Sequence, residues 1–476
     1  MTQAVRVRFA PSPTGLMHLG SLRTALYDYL LARKTNGQFI LRIEDTDQNR
    51  LVEGSVENLI DSLKILGINC DEGPEIGGDY GPYIQSQRLE IYHKHINELL
   101  EKGLAYHCFC TKEELDEHRQ AQMNLKQNPK YSGKCRSLTP DEVKAKIDAG
   151  LDYVIRLKMP EDRTFSFNDA IRNKVEIDSS LVDDQVILKS DGFPTYHLAA
   201  VVDDHLMQIT HVLRGEEWLS STPKHIYLYE CFGWTPPIWV HLPLLLNTDR
   251  SKLSKRHGDF SVQNYLNLGY LKESIINFVA LLGWHSAEDR ELFTLEELVN
   301  EFSIERVNKA GAIFDITKLE WMNGWYMRNL DVKYIAQEAK PFFTKANIDI
   351  SDHNKYLKVI TTAREYASTL NQLIDFSKVY YQDFTLSDED LAIVKEENSQ
   401  KVLSWFHIKL KAQAEWTKDE INTLVKESIA TLGIKGKHLY FPLRIALYGS
   451  SHGPEIPTLI DNLGLNEAIR RLSLFL

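Results

Sequence analysis

Val5, Val7 and Phe9 alternate with Arg6 and Arg8, and the chain then runs through Ala-Pro-Ser-Pro-Thr-Gly to His18 and Gly20. Period-two alternation is the pattern of a strand, and two closely spaced prolines end any strand ladder. From Ser21, apolar residues recur at Leu22, Ala25, Leu26, Tyr29 and Leu30, which is helical spacing, and Asn36-Gly37 stops that helix. "QFILRIEDTD" (Gln38–Asp47) reads as a second buried strand ending in acids. Strand, helix and strand in so short a span form a βαβ unit, so the opening region is expected to be a parallel α/β sheet. The pattern returns with a strand at Ile209–Leu213, a helix started by Thr222 with Pro223 in its first turn, and a buried strand at Trp239–Leu246.

A chain of 476 residues is too long for one core and predicts two to four domains. Residues 83–195 are more polar and irregular and read as an insertion splitting the sheet. Beyond about residue 330 helical segments dominate, such as Asp331–Lys340 and Lys418–Leu432. The net charge of -11 excludes an overall basic field, although a local groove could still hold a specific RNA. Five sparse cysteines fit a reduced compartment rather than a disulfide scaffold. No apolar run reaches the ~18 residues needed to cross a bilayer, so no membrane partner is expected. A first strand almost at Met1 leaves no room for a leader, so the expected location is the cytoplasm, or an organellar matrix for a processed form.

A strand delivering its loop to a helix N-terminus makes an anion site, because free N–H groups and the helix dipole face the ligand. Gly15 and Gly20 would let the backbone approach closely, and His18 can donate to a phosphate oxygen; alone, the same stretch is a Pro-rich turn with a capping histidine. A second stretch changes that balance. "DRSKLSKRHGD" (Asp249–Asp259) is a cation-rich loop directly after a buried strand, with Lys252 and Lys255 flanking Ser254. Such a loop suits a polyphosphate whose charge moves during reaction.

Together, "HLGS" and "KLSKR" resemble the signature pair of class I aminoacyl-tRNA synthetases. "RFAPSPTG", "LRIEDTD", "DGFPTYHLA", "VVDDH" and "HVLRGEEW" resemble the glutamyl group specifically, and "PLRIALYG" resembles the helical anticodon-binding end of its bacterial-type members. The resemblance implies a Rossmann-type parallel sheet split by an insertion and followed by an all-α region. The implied division is 1–82 and 196–248 as the two catalytic halves, 83–195 as an inserted tRNA acceptor-binding domain, 249–330 as the lysine loop and stem-contact domain, and 331–476 as the anticodon-binding domain. It also implies ATP-dependent, Mg²⁺-requiring activation of L-glutamate and its transfer to tRNA(Glu), by a monomer.

By that resemblance His18, Lys252 and Lys255 are catalytic. Gly15, Gly20, Ser21, Glu217 and Trp218 join His18 and Lys255 in holding ATP. Arg8, Ser12, Glu44, Tyr196 and Arg214 hold glutamate, with arginine forks for the side-chain carboxylate and Glu44 for the ammonium. Some relatives carry an amide where this chain has Ala200, so one substrate hydrogen bond is expected from elsewhere. Cys108, Cys110 and Cys135 match a zinc site of some members, but Ser137 stands where they have a histidine. Tyr131 or His107 could substitute, yet three sulfurs without a clear fourth ligand do not favour zinc.

Strict members carry an arginine on an anticodon-domain helix that reads the last anticodon base. In "AREYASTL" (Ala363–Leu370) the matching position holds Tyr366, with Arg364 two residues earlier and, on a helix, about 200° away. Tyrosine stacks on a base but discriminates cytosine from guanine poorly, so the expectation is relaxed specificity that includes tRNA(Gln), with Arg364 as the alternative reader. A small-molecule nucleotidylyltransferase would lack the helical tail, and a non-catalytic paralogue should have lost His18, Lys255 or the glutamate clamp.

Overall fold

The computed structural model describes residues 4–253 and 259–476. It divides into two units, Met1–Tyr265 with Ile275–Ile316, and Leu266–Ser274 with Thr317–Leu476. In the first unit the βαβ element forms as β1 (Arg6–Phe9), α1 (Leu19–Lys34) and β2 (Gln38–Leu41), with Arg6 beside Gln38 and Phe9 beside Leu41 in parallel register. Gly37 makes the return possible: a Cβ there would lie 2.2 Å from the Val5 carbonyl oxygen. Strand β2 is shorter than the sequence pattern predicts. Past Leu41 the backbone leaves the ladder, and Glu44 N–H donates instead to the Pro11 carbonyl in the loop after β1 (3.0 Å).

Next come α2 (Ser55–Ile65), α3 (Leu89–Glu101), β3 (Ala105–Cys108), α4 (Lys112–Asn124), α5 (Pro140–Asp148), β4 (Val154–Leu157), β5 (Thr164–Asp169), β6 (Asn173–Asp178) and β7 (Val186–Leu188). The irregular-looking region is therefore built from short strands. Strands β3, β4 and β7 form their own antiparallel sheet, while the β5–β6 hairpin joins the main one. Its polar look comes from alternation, since β5 buries Phe165 and exposes Thr164 and Ser166.

The second crossover runs from α6 (Tyr196–Leu206) into β8 (His211–Gly215), α7 (Thr222–Phe232) and β9 (Ile238–Leu242). Strand β8 starts later than expected because Thr210 is engaged with β1, its N–H donating to the Arg6 carbonyl at 2.9 Å. The expected Trp239–Leu246 strand is interrupted at Pro243 and resumes as β10 (Leu245–Leu246), which pairs with β11 (Ala312–Ile313). The main sheet has the order β6-β5-β9-β8, and β1 with β2 lies beyond β8. Crossover α1 leads from β1 away from β8, and α7 leads from β8 away from β1. Their divergence opens a crevice at the C-terminal ends of β1 and β8, where open α/β sheets bind ligands. One core runs from Ile40 through Tyr92, Leu157 and Phe165 to Val202 and Trp239, so insertion and sheet share it.

The second unit is helical, around a core that includes Val402, Phe406, Leu424, Leu443 and Leu459. Helix Val332–Lys345 is capped by Asp331, and Lys418–Leu432 by a Thr417–Glu420 capping box. Helix His353–Ala363 ends before Arg364. The expectation that Arg364 and Tyr366 occupy opposite faces of a helix is thus corrected: both lie in the turn that follows it.

Candidate active site

A cleft of about 810 Å³ occupies the crevice. It gathers Arg8, Ser12, His18, Gly20, Ser21, Glu44, Tyr196, Arg214, Glu217, Trp218 and Lys252, which are more than 240 residues apart in sequence at the extremes. Gly15 is not among the lining residues; it turns the loop at φ 136°, a backbone conformation that favours glycine. Lys255 lies outside the described residues.

At one end sits the N-terminus of α1. His18 is its N-cap, with Nδ1 accepting from the Gly20 N–H at 3.0 Å. The capping and ligand-facing readings of His18 are therefore compatible, because an accepting Nδ1 leaves the neutral ring's proton on Nε2. Gly20 leaves room for the ring: a Cβ there would meet Nδ1 at 3.3 Å. The chain on both sides of the lysine loop is tied to this end. Leu253 N–H donates to Leu245 O (2.9 Å), and Leu19 N–H donates to Phe260 O (2.9 Å).

At the other end, charge is buried. Arg8 Nε contacts Asp204 Oδ1 at 2.9 Å, and the fully buried Arg42 reaches Asp204 at 2.8 Å and Glu44 at 3.1 Å. Arg88 contacts the neighbouring Asp203 at 2.8 Å. Burial alone would raise the Asp204 carboxyl, but Arg8 and Arg42 override it and hold it below the usual range. For Glu44 burial wins over Arg42 and Arg8, and its carboxyl is pushed up to about 7.

Arg214, at the end of β8, has different company. Its Nε donates to His241 Nε2 (3.0 Å), one terminal nitrogen to Thr222 Oγ1 (2.9 Å), and the other contacts Tyr196 Oη (3.2 Å) and His225 Nδ1 (3.3 Å). Burial and the adjacent guanidinium keep the His225 pKa well below the ordinary histidine value, so these partners are neutral. Among the described residues Arg214 makes no ion pair. A buried guanidinium without an acid can receive an anion, and its longer contacts, to Tyr196 and His225, can yield to the shorter bonds of a carboxylate.

The insertion brings the Cys108, Cys110 and Cys135 sulfurs within 4.8 Å of one another. Tyr131 Oη lies 3.4 Å from Cys108 Sγ and 3.6 Å from Cys110 Sγ. His107 packs its ring against Phe109 and Tyr153 instead. In the helical unit the Arg364 guanidinium donates to the Leu330 carbonyl at 2.8 Å, whereas Tyr366 is 50% exposed.

Sequence reasoning gave no role to Arg42, Asp203, Asp204, His225 or His241, all of them buried. A signal was present in "VVDDH" and "WVHLPLLL", where ionisable residues interrupt apolar runs and must find partners.

The profile of tRNA synthetases class I (E and Q), catalytic domain, matches residues 4–321, and that of an anticodon binding domain matches residues 334–476. The chain is 46% identical over 484 residues to the glutamate–tRNA ligase of Clostridioides difficile (strain 630), covering 98% of each. It is 47% identical over 477 residues to the glutamate–tRNA ligase of Alkaliphilus metalliredigens (strain QYMF), covering 97% of each. The crystal structure of a glutamate tRNA ligase from Elizabethkingia meningosepticum CCUG26117 in complex with its amino acid superposes with a TM-score of 0.92 at 37% identity, over 99% of each chain. Matched along nearly its whole length in both sequence and fold, the chain belongs to the class I aminoacyl-tRNA synthetases and, among them, to the glutamate–tRNA ligases.

Proposed function

We propose that Arg214 and Glu44 hold L-glutamate by its side-chain carboxylate and its ammonium, while the α1 mouth and the lysine loop hold ATP. The observation that carries this reading is the uncompensated, buried Arg214 in the same cleft as a helix N-terminus and a buried carboxyl at Glu44. The α-carboxylate of glutamate attacks the α-phosphorus of ATP, a new P–O bond forms, and the bond to the bridging oxygen of pyrophosphate breaks. A terminal ribose hydroxyl of tRNA then attacks the acyl carbon, and AMP leaves. His18 Nε2 and the N–H of Ser21 at the α1 mouth stabilise phosphate charge, and Lys252 with Lys255 meets the charge that builds on pyrophosphate. In this reading Glu217 and Trp218, in the short 3-10 helix after β8, hold adenosine.

Aminoacyl-tRNA synthetases use ATP and Mg²⁺ as a class. Among the described residues the three cysteines are the single grouping of three metal-ligating side chains. The cysteines with Tyr131 Oη fit a tetrahedral zinc held by three sulfurs and one oxygen, a stronger argument than their spacing alone. Relaxed specificity is supported by the tethering of Arg364 to Leu330 O and the exposure of Tyr366, which leave a stacking ring rather than a directed fork for the last anticodon base. ATP–pyrophosphate exchange with glutamate, run with and without tRNA(Glu), tests the central reading. Glutamate-dependent exchange that needs tRNA is expected, and no exchange under either condition would refute it.

A further inference from the structure

Arg214 is seated from behind by two side chains that do not line the cleft. His241 lies on β9 and Asp169 ends β5, and both side chains are fully buried. Asp169 Oδ2 is 2.6 Å from His241 Nδ1 and also accepts from the His241 backbone N–H at 3.1 Å. His241 Nε2 in turn lies 3.0 Å from Arg214 Nε. An arginine nitrogen can only donate, so Nε2 must accept, and the ring proton sits on Nδ1 facing the carboxylate. Asp169 cannot turn away, because its other oxygen is held by the N–H groups of Ile171 (3.0 Å) and Arg172 (2.7 Å).

We propose that Asp169 and His241 are positioning residues for glutamate: they lock the Nε edge of Arg214 so that its terminal nitrogens present a fixed fork to the substrate carboxylate. The inference rests on Arg214 being the carboxylate receptor. The arrangement holds the guanidinium without neutralising it. Asp169 is the nearest acid in the chain of contacts, yet the imidazole stands between its charge and Arg214. An acid touching Arg214 directly would compete with the substrate; an acid one histidine away orients the fork and leaves its charge for the ligand. Asp169 also comes from the hairpin of the insertion, where it pairs with Trp239 on β9. The strand that docks the insertion on the main sheet therefore also seats the substrate arginine.

Asp169→Asn tests the relay. The variant keeps an oxygen for Ile171 and Arg172 but sets an NH₂ group against His241 Nδ1. The ring must then accept at Nδ1 and carry its proton on Nε2, opposed to the N–H of Arg214. Glutamate KM should rise on the order of tenfold, with ATP KM little changed; the melting temperature falls as well, because the same NH₂ group faces the buried His241 backbone N–H. His241→Gln has an amide oxygen that can face Arg214 without help from Asp169, so adding Asp169→Asn in that background should cost little further. If Asp169→Asn does not yield folded protein, His241→Gln against His241→Leu decides, the leucine variant alone showing the raised glutamate KM. A silent Asp169→Asn, an equal rise in ATP KM, an equal cost in the His241→Gln background, or a silent His241→Leu would overturn the relay. Arg214→Ala run beside them separates the two readings. If it raises glutamate KM while Asp169→Asn does not, only the relay fails; if it is silent too, the receptor assignment fails with it.

Discussion

Replacing Arg214 by alanine tests the pocket at its strongest point. Arg214 is 6% exposed and, among the described residues, has no acidic partner, so a bound carboxylate would be its counter-charge. Removing one partner of a buried, hydrogen-bonded charge pair costs about 2–5 kcal/mol, which is roughly 30- to 4,000-fold in affinity. Two features argue for the upper half of that range. Arg8, another cation lining the cleft, is already answered by Asp204 at 2.9 Å and cannot swing across without abandoning it. The side chains that now touch Arg214, including Tyr196, Thr222 and Trp239, offer hydroxyls and a ring rather than a cation. Arg214→Lys should fall between wild type and alanine, since it restores charge but neither the fork nor the Nε–H that meets His241. Initial aminoacylation rates against glutamate at saturating ATP and tRNA give one KM, and the converse titration gives the ATP value. A large rise in the first with little change in the second is expected. A glutamate KM within about threefold of wild type would be too small for a lost bidentate contact and would remove Arg214 from the pocket.

Glu44 gives a pH signature. Its folded pKa of about 7 is raised above 4.5, so its contribution to the stability of the substrate-free protein is full below 4.5 and is lost as pH rises through 7. Ammonium binding needs the ionised form, so glutamate KM should fall roughly tenfold between pH 6 and pH 8; a flat profile would contradict Glu44 as the ammonium partner. Purified protein should contain about one zinc per chain and lose it in Cys110→Ser, and metal-free wild type would dismiss the site. With tRNA(Gln), charging is expected under conditions that saturate tRNA(Glu), and Tyr366→Arg should reduce it; no charging by the wild type would establish strict specificity.

The two crossovers and the capped helices were legible because their signals are local. Period-two and period-3.6 runs, Pro223 in a first turn, and the Thr417–Glu420 box each lie within a few residues. The three-stranded sheet of the insertion was not legible. Its strands are short, and where β5 goes is decided by a pairing between Asp169 and Trp239 that no local pattern encodes. The site divides in the same way. Motifs pointed to residues that line one cleft, but the residues that hold them are distant in sequence; Arg8 and Asp204 are 196 positions apart. Only the demand that buried ionisable groups be partnered could have flagged Asp203, Asp204 and His241 in advance, and that demand names no partner.

With Arg214 as the proposed receptor, the charge inventory accounts for the choice of an acid over its amide. Arg8 and Arg42 are met by Asp204, Arg42 also by Glu44, and Arg88 by Asp203. Arg214 is met by a hydroxyl, a phenol, two imidazoles and, at 3.4 Å, the Trp218 carbonyl. Glutamine would fill the same volume and accept one hydrogen bond, yet leave that guanidinium buried without a counter-charge and set an NH₂ group against a donor. Glutamate brings both missing elements, the charge and the second acceptor. Rejection of the amide therefore needs no steric block, since the unfavourable interaction is built into the receptor. It also follows that placing an acid at a neighbouring position, as in Thr222→Asp beside the Arg214 fork, should narrow the preference for glutamate over glutamine by weakening glutamate alone. Competition between the two amino acids in the exchange assay would show it, and an unchanged ratio would mean that shape rather than charge makes the distinction.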